Sequence, residues 1–489
     1  MLTTMRDILW VERSFVRRIV AATFAVAVVY ALYAIVAHDS YLPKVLDFRV
    51  VYCGERAVLA GSDPYRVEPL RACEHAVRRE AGEPDWSVTP YPLPGYAAAV
   101  FAPLAELPYD IARLGWIALL VLAFGITTAA VAASMQTSTL AVAFVCAPTI
   151  GILQLVYGEP IPFALAALAA AGLALERHRP RLAALAAAAA MLEPHVGLAG
   201  CVGLFVAVPA ARRTLVLAGV ACAALGIVVL GPLTNLEYLR TFLPLQARAE
   251  LVAVDQYSTS HVAYLLHASE GVALALGTLC AMASLAFGVW SAGRTVLAGG
   301  SPALLVLLPV AVAMLGSAFS HDVELAAALP AALLLSRRSW AARVAVVALA
   351  MPWGSGWRGL PLALAATSGA ARIALPSATL VRQLAFAAVA TVALFTLDKR
   401  LPLPATKVGG VHGAPAVSIA AGNVSARAWM WRIRLDPAYS DLDLRTLARK
   451  VPLWLALALV AAVSLEGPIT RAAFAAIRRR RYRTATYLP

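Results

Sequence analysis

Residues 19–37 read IVAATFAVAVVYALYAIVA. The run holds no charge and no proline, and its apolar positions are continuous rather than alternating. A helix crossing the bilayer core needs about 20 mostly apolar residues. This stretch is therefore a membrane-spanning helix. Similar runs recur along the chain, as in LALALVAAV at 455–463. A membrane β-strand would alternate apolar and polar residues, so a barrel is excluded. Arg6, Arg13, Arg17 and Arg18 precede or open the first run. The run is too long for the apolar core of a signal peptide and lacks a small-residue cleavage site. It reads as a first span with a cytoplasmic N-terminus.

The whole chain agrees with its first helix. Of 489 residues, 61% are apolar and 14% charged, with a mean hydropathy of +0.76. Soluble domains are about 45–50% apolar and about 25% charged. The composition excludes a soluble enzyme, a disordered chain and a disulfide-stapled secreted domain. The class is an all-α polytopic membrane protein. Lys+Arg exceed Asp+Glu by 41 to 27, a net charge of +14. In a membrane protein such an excess holds cytoplasmic loops in place and meets anionic headgroups. No helix-turn-helix, zinc-finger or RNA-binding motif is present, so nucleic acid is not an expected partner. The lipid bilayer is.

Four regions follow from the pattern. Residues 1–37 form the cytoplasmic N-terminus and first span. Residues 38–110 are dense in acids, bases, proline and tyrosine, and form an extracytoplasmic loop. Within it Gly95–Leu107 is too short to cross and lies in the interface or re-enters. Residues 111–335 form the membrane core, with spans near 112–133, 139–154, 161–176, 214–231, 271–291, 302–318 and 324–336. Glu193-Pro194-His195 splits 182–209 into two short helices that meet at the outer face, and 232–265 reads as a polar outer loop. Arg177, Arg179, Arg181, Arg212, Arg213, Arg294, Arg337 and Arg338 mark cytoplasmic turns. Residues 336–489 form a C-terminal membrane region, with segments at 341–353, 361–376, 378–396 and 451–470. Its polar loop near 398–450 lies outside if 361–376 crosses. The run Arg478–Arg481 places the C-terminus in the cytoplasm.

Ionisable residues inside the apolar half of a chain are costly, so their placement carries information. They gather at helix ends assigned to the outer face: Asp39, Asp47, Glu55, Glu159, Glu193, His195, Asp255, His261, His321, Asp322 and Glu324, with Gln154. A transporter would place such groups near the midplane on broken helices. An enzyme acting on a lipid-linked substrate would gather them at one face. Plainer roles stand beside the functional ones. Asp47 is either a reactive acid, a solvated loop acid or the N-cap of the next helix. His321-Asp322 also fit a cap for the helix after Val323. His195, His261 and His321 with Asp47 are metal-type residues, but no HxxxH or HExxH spacing joins them. No metal and no cofactor is expected. Cys146, Cys201, Cys222 and Cys280 sit in apolar runs as small hydrophobes. Cys53 and Cys73 share the first outer loop, a compartment that permits disulfides, and are expected to pair. There is no Walker A sequence, no nucleotide-binding GxGxxG and no GxSxG elbow. A transferase of this kind must take its donor from the membrane.

The outer loop reads DFRVVYCGERAVLAGSDPY from Asp47 to Tyr65. It continues as TPYPLPGYAAAVFAPLAELPY from Thr89 to Tyr109, then Arg113-Leu114-Gly115-Trp116. This pattern resembles glycosyltransferase family 87, the polyprenol-phosphate-mannose-dependent mannosyltransferases. The resemblance is strongest over 45–120 and weaker over 150–200 and 255–325. It implies the GT-C fold, with about 11–14 transmembrane helices and a helical first outer loop. It implies a sugar, mannose, moved from a polyprenyl-phosphate-sugar donor to a hydroxyl on a glycan, glycolipid or protein. The site would face the periplasm or cell exterior from the plasma membrane. Asp47 matches the family's catalytic base. Gly61, Pro64 and Tyr65 match its loop turn. Tyr91 and Pro92 match its Tyr-Pro segment. His321, and after it His195 and Arg56, are the candidates to hold the donor phosphate. Glu193 and Glu159 are candidates to orient sugar hydroxyls. They stand where the family often has Lys-Pro and Gly-Gln. The competing class is a lipid-linked-sugar flippase or other transporter, and a third is a scaffold without activity.

Overall fold

A computed structural model of the chain describes residues 13–38, 42–43, 45–77, 87–402, 419–435 and 442–485. Among these residues the regular elements are helices, with two isolated β-bridges. Seven helices are long and apolar enough to cross a membrane, and seven shorter apolar helices pack among them. The chain is an all-α polytopic membrane protein. Asp39, Arg6, and 403–418 and 436–441 of the polar C-terminal segment lie outside the described residues, as do the side chains of Arg478–Arg481.

Helix α1 (Arg13–Ala37) leads into an outer loop that folds as α2 (Phe48–Leu59), α3 (Val67–Val77) and α4 (Gly95–Ala105). The core follows as α5 (Tyr109–Ser134), α6 (Thr139–Tyr157), α7 (Ile161–Glu176), α8 (Pro180–Leu192), α9 (Pro194–Ala207) and α10 (Pro209–Val252). Then come α11 (Thr259–Leu265), α12 (Glu270–Leu297), α13 (Leu304–Leu315) and α14 (Glu324–Ser336). The C-terminal region adds α15 (Trp340–Ala350), α16 (Leu360–Ala374), α17 (Leu380–Arg400), α18 (Ser425–Leu435) and α19 (Leu447–Ala485).

One expected boundary is different. Residues 232–252 do not form a loop; α10 runs through them to Val252. Gly231 (φ +74°, ψ 163°) and Pro232 kink the helix without ending it. A proline removes a backbone donor and clashes with the preceding turn, which leaves carbonyls without partners. Asn235 supplies the missing donor, from Nδ2 to the oxygens of Gly226 (2.8 Å) and Gly231 (2.7 Å). Beyond the kink, buried Tyr238 and Phe242 turn an apolar face toward the loop helices.

The two ends of the bundle differ in charge. At one end Arg18 donates to the Thr137 carbonyl and to Thr139 Oγ1, and Arg337 donates to the Met135 carbonyl. Helices α6 and α7 run between that end and the other, where Tyr157, Glu159 and the start of α7 meet the outer loop. The outer loop is fastened there by aromatic packing. Trp116 of α5 stacks on Phe48 at 5.0 Å and meets Phe101 and Phe163 edge-on at 5.0 and 5.1 Å. Such pairs contribute roughly 0.5–1.5 kcal/mol each beyond the area they bury.

Cys53 and Cys73 form a disulfide that ties α2 to α3, with their Cα atoms 5.6 Å apart. A cross-link closing a loop of this length contributes about 3 kcal/mol by restricting the unfolded chain. The double variant Cys53→Ser/Cys73→Ser is expected to melt at a clearly lower temperature in detergent. An unchanged melting temperature would show that the bridge does not hold the loop.

Candidate active site

The acidic end encloses a cavity of about 330 Å³. Seven carboxyl side chains line it: Asp47, Glu159, Glu193, Glu250, Asp255, Asp322 and Glu324. His195, His321, Arg49, Arg432 and Trp429 join them. Each acid sits at a helix end or in a connection, not in mid-helix. The sequence-derived set Asp47, Glu159, Glu193, His195 and His321 is thus gathered from separate elements around one space.

Asp47 is placed by backbone. Its N–H donates to the Tyr157 carbonyl at 2.6 Å, and the Leu46 N–H donates to Val156 at 3.2 Å. These bonds fix the start of α2 to the last turn of α6. Asp47 stands at the N-cap position of α2, yet its side chain makes no capping bond. Its carboxylate instead forms part of the cavity wall.

Gly158 is what allows this junction. It ends α6 with φ +85°, and its carbonyl accepts from Trp116 Nε1 at 2.8 Å. A Cβ on Gly158 would lie 2.9 Å from the backbone of Val45. Gly158→Ala therefore meets a left-handed penalty of roughly 1–2 kcal/mol and a collision that pushes the Asp47 segment outward. The variant is expected to melt lower and to turn over more slowly, both readable in purified protein. Wild-type turnover would show that Asp47 does not depend on this contact.

His321 is fixed between acids. Its Nε2 lies 3.3 Å from Glu250 Oε2, and its Nδ1 lies 3.4 Å from Glu324 Oε1. Burial disfavours the imidazolium, but the Asp255 charge and the hydrogen bonds to Glu250 and Glu324 outweigh it. The ring's pKa is raised well above the usual histidine range, which favours the imidazolium form. Phe319 meets the ring edge-on at 4.9 Å and stacks on His195 at 5.3 Å. His195 Nδ1 lies 2.9 Å from Glu193 Oε1. Burial raises the Glu159 pKa, and the charges of Asp47 and Glu324 add to the effect. Asp322 is pushed up to about 6 by burial and by Asp255.

Other sequence candidates lie away from the cavity. Arg56 is exposed on α2, and its Nη1 donates to the Ala105 carbonyl at 3.4 Å. It is not placed to meet a phosphate in the cavity, because it projects from the far side of its helix. Tyr91 is fully buried and donates to Glu55 Oε1 at 2.6 Å, while its neighbours Pro90 and Pro92 line the wall. It braces the loop instead of facing a ligand. His261 is buried with Nδ1 2.8 Å from the Leu251 carbonyl and Nε2 2.9 Å from Lys450 Nζ. A carbonyl only accepts and an ammonium only donates, so the ring is neutral with its proton on Nδ1. Gly61 (φ +68°), Pro64 and Tyr65 make the turn between α2 and α3. Tyr65 Oη donates to the Leu93 carbonyl at 2.9 Å.

Arg49, Glu250, Trp429 and Arg432 carry little signal in the sequence. Arg49 is buried on α2 two residues after Asp47, 3.8 Å from Glu74. That spacing was its only signal. Trp429 and Arg432 come from α18, far along the chain. They reach the cavity because 421–425 pairs with the loop turn: Val67 N–H donates to Asn423 (2.9 Å), Glu68 N–H to Ala421 (3.1 Å), and Ser425 N–H to Tyr65 (2.8 Å). Residues 421–432 thus lie at the same end as the first loop. Trp429 Nε1 donates to Glu250 Oε1 at 2.6 Å.

No curated protein and no solved structure matches the chain at a significant level. The family model of glycosyltransferase family 87 matches residues 91–320. The matched segment carries Glu159, Glu193, His195, Glu250 and Asp255; Asp47 precedes it and His321 follows its last residue. With seven membrane-capable helices and a cavity of carboxylates, histidines and arginines at one end of the bundle, that match supports membership of glycosyltransferase family 87 and the reading of the chain as a multi-pass membrane glycosyltransferase.

Proposed function

We propose that the chain moves a hexose, mannose by its family resemblance, from a polyprenyl-phosphate-sugar to an acceptor hydroxyl at the extracytoplasmic face of the plasma membrane. The observation that carries this reading is the Asp47 carboxylate, unused as a helix cap and set in the wall of the same cavity as His321. In the reaction Asp47 takes the proton of the acceptor hydroxyl. The acceptor oxygen bonds to the anomeric carbon as the bond from that carbon to the phosphate oxygen breaks. Polyprenyl phosphate leaves, and a single displacement inverts the anomeric centre. Imidazolium and guanidinium groups stabilise the charge gathering on the leaving phosphate. His321, Arg432 and Arg49 are the cavity's candidates for that role, and Glu159 and Glu193 for holding sugar hydroxyls.

The test is to incubate purified protein in nanodiscs with radiolabelled polyprenyl-phosphate sugars and a lipid extract as acceptor. Release of polyprenyl phosphate with label passing to acceptor supports transfer. Movement of intact donor between leaflets without release would favour the flippase. Arg432→Ala is expected to lower kcat about 10²-fold, the lower end of the effect of losing one charge-stabilising donor. Arg56→Ala should stay near wild type, and the reverse order would move the phosphate site to the far side of α2.

A further inference from the structure

The geometry points to a divalent-cation site formed by Glu250, Asp255 and His321. One ligand atom from each residue lies within 4.8 Å of the other two. Two carboxylates and one imidazole suit Mg²⁺ or Mn²⁺. Three protein ligands leave coordination positions open for water and for a phosphate oxygen. Glu250 and Asp255 share one short segment, but His321 lies far along the chain from both, so no ligand-spacing motif reveals the set.

The set is held in place on both sides. Gln256 and His321 form an antiparallel bridge. The Asp322 N–H donates to the Asp255 carbonyl at 3.1 Å, and the Tyr257 N–H donates to Ser320 at 2.7 Å. These bonds align the Asp255 and His321 backbones independently of their side chains. Metal-binding histidines commonly give their other ring N–H to a carboxylate. Here Glu324 stands 3.4 Å from His321 Nδ1, and an ion binding at Nε2 would displace the proton that the ring holds there toward Glu250, so that binding releases a proton. The Trp429 Nε1–H on Glu250 Oε1 orients the second ligand in the same way.

Two observations outside the three ligands also ask for positive charge. Glu324 is 6% exposed, lines the cavity, and its Oε2 has no hydrogen-bond partner among the described residues. A buried carboxylate oxygen left this way is costly unless a cation or donor arrives. The lining as a whole sets seven carboxyl groups against two arginines and two histidines, and one of the arginines also faces Glu74. Arg449 approaches Asp322 from outside the lining. Acids outnumber bases in this wall, which weakens its pull on an anionic lipid phosphate. A divalent cation at the three residues offsets the excess and gives the phosphate an attractive contact. That role rests on the proposed transfer reaction; binding of the ion does not.

The experiment uses the full chain in nanodiscs, stripped with chelator and titrated with Mn²⁺. The free ion is followed by electron paramagnetic resonance. One saturable site per chain is expected. Asp255→Asn and Glu250→Gln should weaken it tenfold or more, and Glu324→Gln roughly 10- to 100-fold, as for outer-shell partners. Melting temperature reports whether each variant is folded. If a ligand variant does not fold, the wild-type protein decides, because Mn²⁺ must then raise its melting temperature with added ion. No saturable binding by the wild type, or unchanged binding in folded Asp255→Asn and Glu250→Gln, would overturn the site. Full-rate transfer by stripped protein would overturn the phosphate role. If Mn²⁺ binds as expected and no polyprenyl-phosphate sugar is turned over, the transfer reaction fails while the cation site stands.

Discussion

Asp47→Asn is expected to remove sugar transfer while leaving the protein folded. The amide keeps the size of the side chain and loses the ability to take a proton. General-base catalysis contributes about 10²–10⁴-fold, so kcat should fall by that factor. The fold should hold, because the amide keeps the size of the side chain and the backbone bonds to Tyr157 and Val156 do not involve the carboxylate. The measurement is turnover of a radiolabelled polyprenyl-phosphate sugar by purified variant, with its melting temperature alongside. Asp47→Ala should behave alike. Near-normal turnover in the folded Asp47→Asn protein would remove Asp47 as the base.

His321→Ala should lower kcat about 10²–10³-fold, the scale seen when one charge-stabilising donor is lost. Its effect on KM should be smaller, because the charge it meets grows as the phosphate leaves. The variant should also be less stable without ligand. Glu250 and Glu324 are both buried and both face this ring. Removing it leaves two negative groups without their shared counter-charge. That costs roughly 1–3 kcal/mol, part of which is relieved when Glu324, whose carboxyl the His321 ring helps hold below its usual range, takes up a proton. Lowering the pH should therefore recover stability in His321→Ala more than in the wild type. A variant with unchanged kcat and an unchanged pH profile of melting would show that the ring is a spectator.

The largest difference between sequence and structure lies in how cations reach the cavity. Arg56 falls within the quoted loop motif, yet it points outward from α2, whereas Arg49 on the same helix points in. Helical spacing alone does not say which face meets the core when both carry arginine. Arg432 and Trp429 lie in a segment without motif, and only the backbone pairing of 421–425 with the loop turn brings them to the site. The reading of 232–265 as a loop failed for a related reason. Gly231-Pro232 has the composition of a helix end, and the rescue by Asn235 depends on a hydrogen bond across the kink.

The sequence by itself determined the solvent, the fold class and the end of the molecule at which chemistry collects. Those follow from transfer free energy, which acts residue by residue and is summed along the chain. Apolar runs must lie in lipid, and acids and histidines must collect at helix ends. Which acids face one cavity, which arginine turns inward, and that Glu250, Asp255 and His321 converge were decided by tertiary structure. Those outcomes depend on distances between segments far apart in the chain. Packing around Trp116, the backbone bonds at Asp47 and the close approach at Gly158 set those distances.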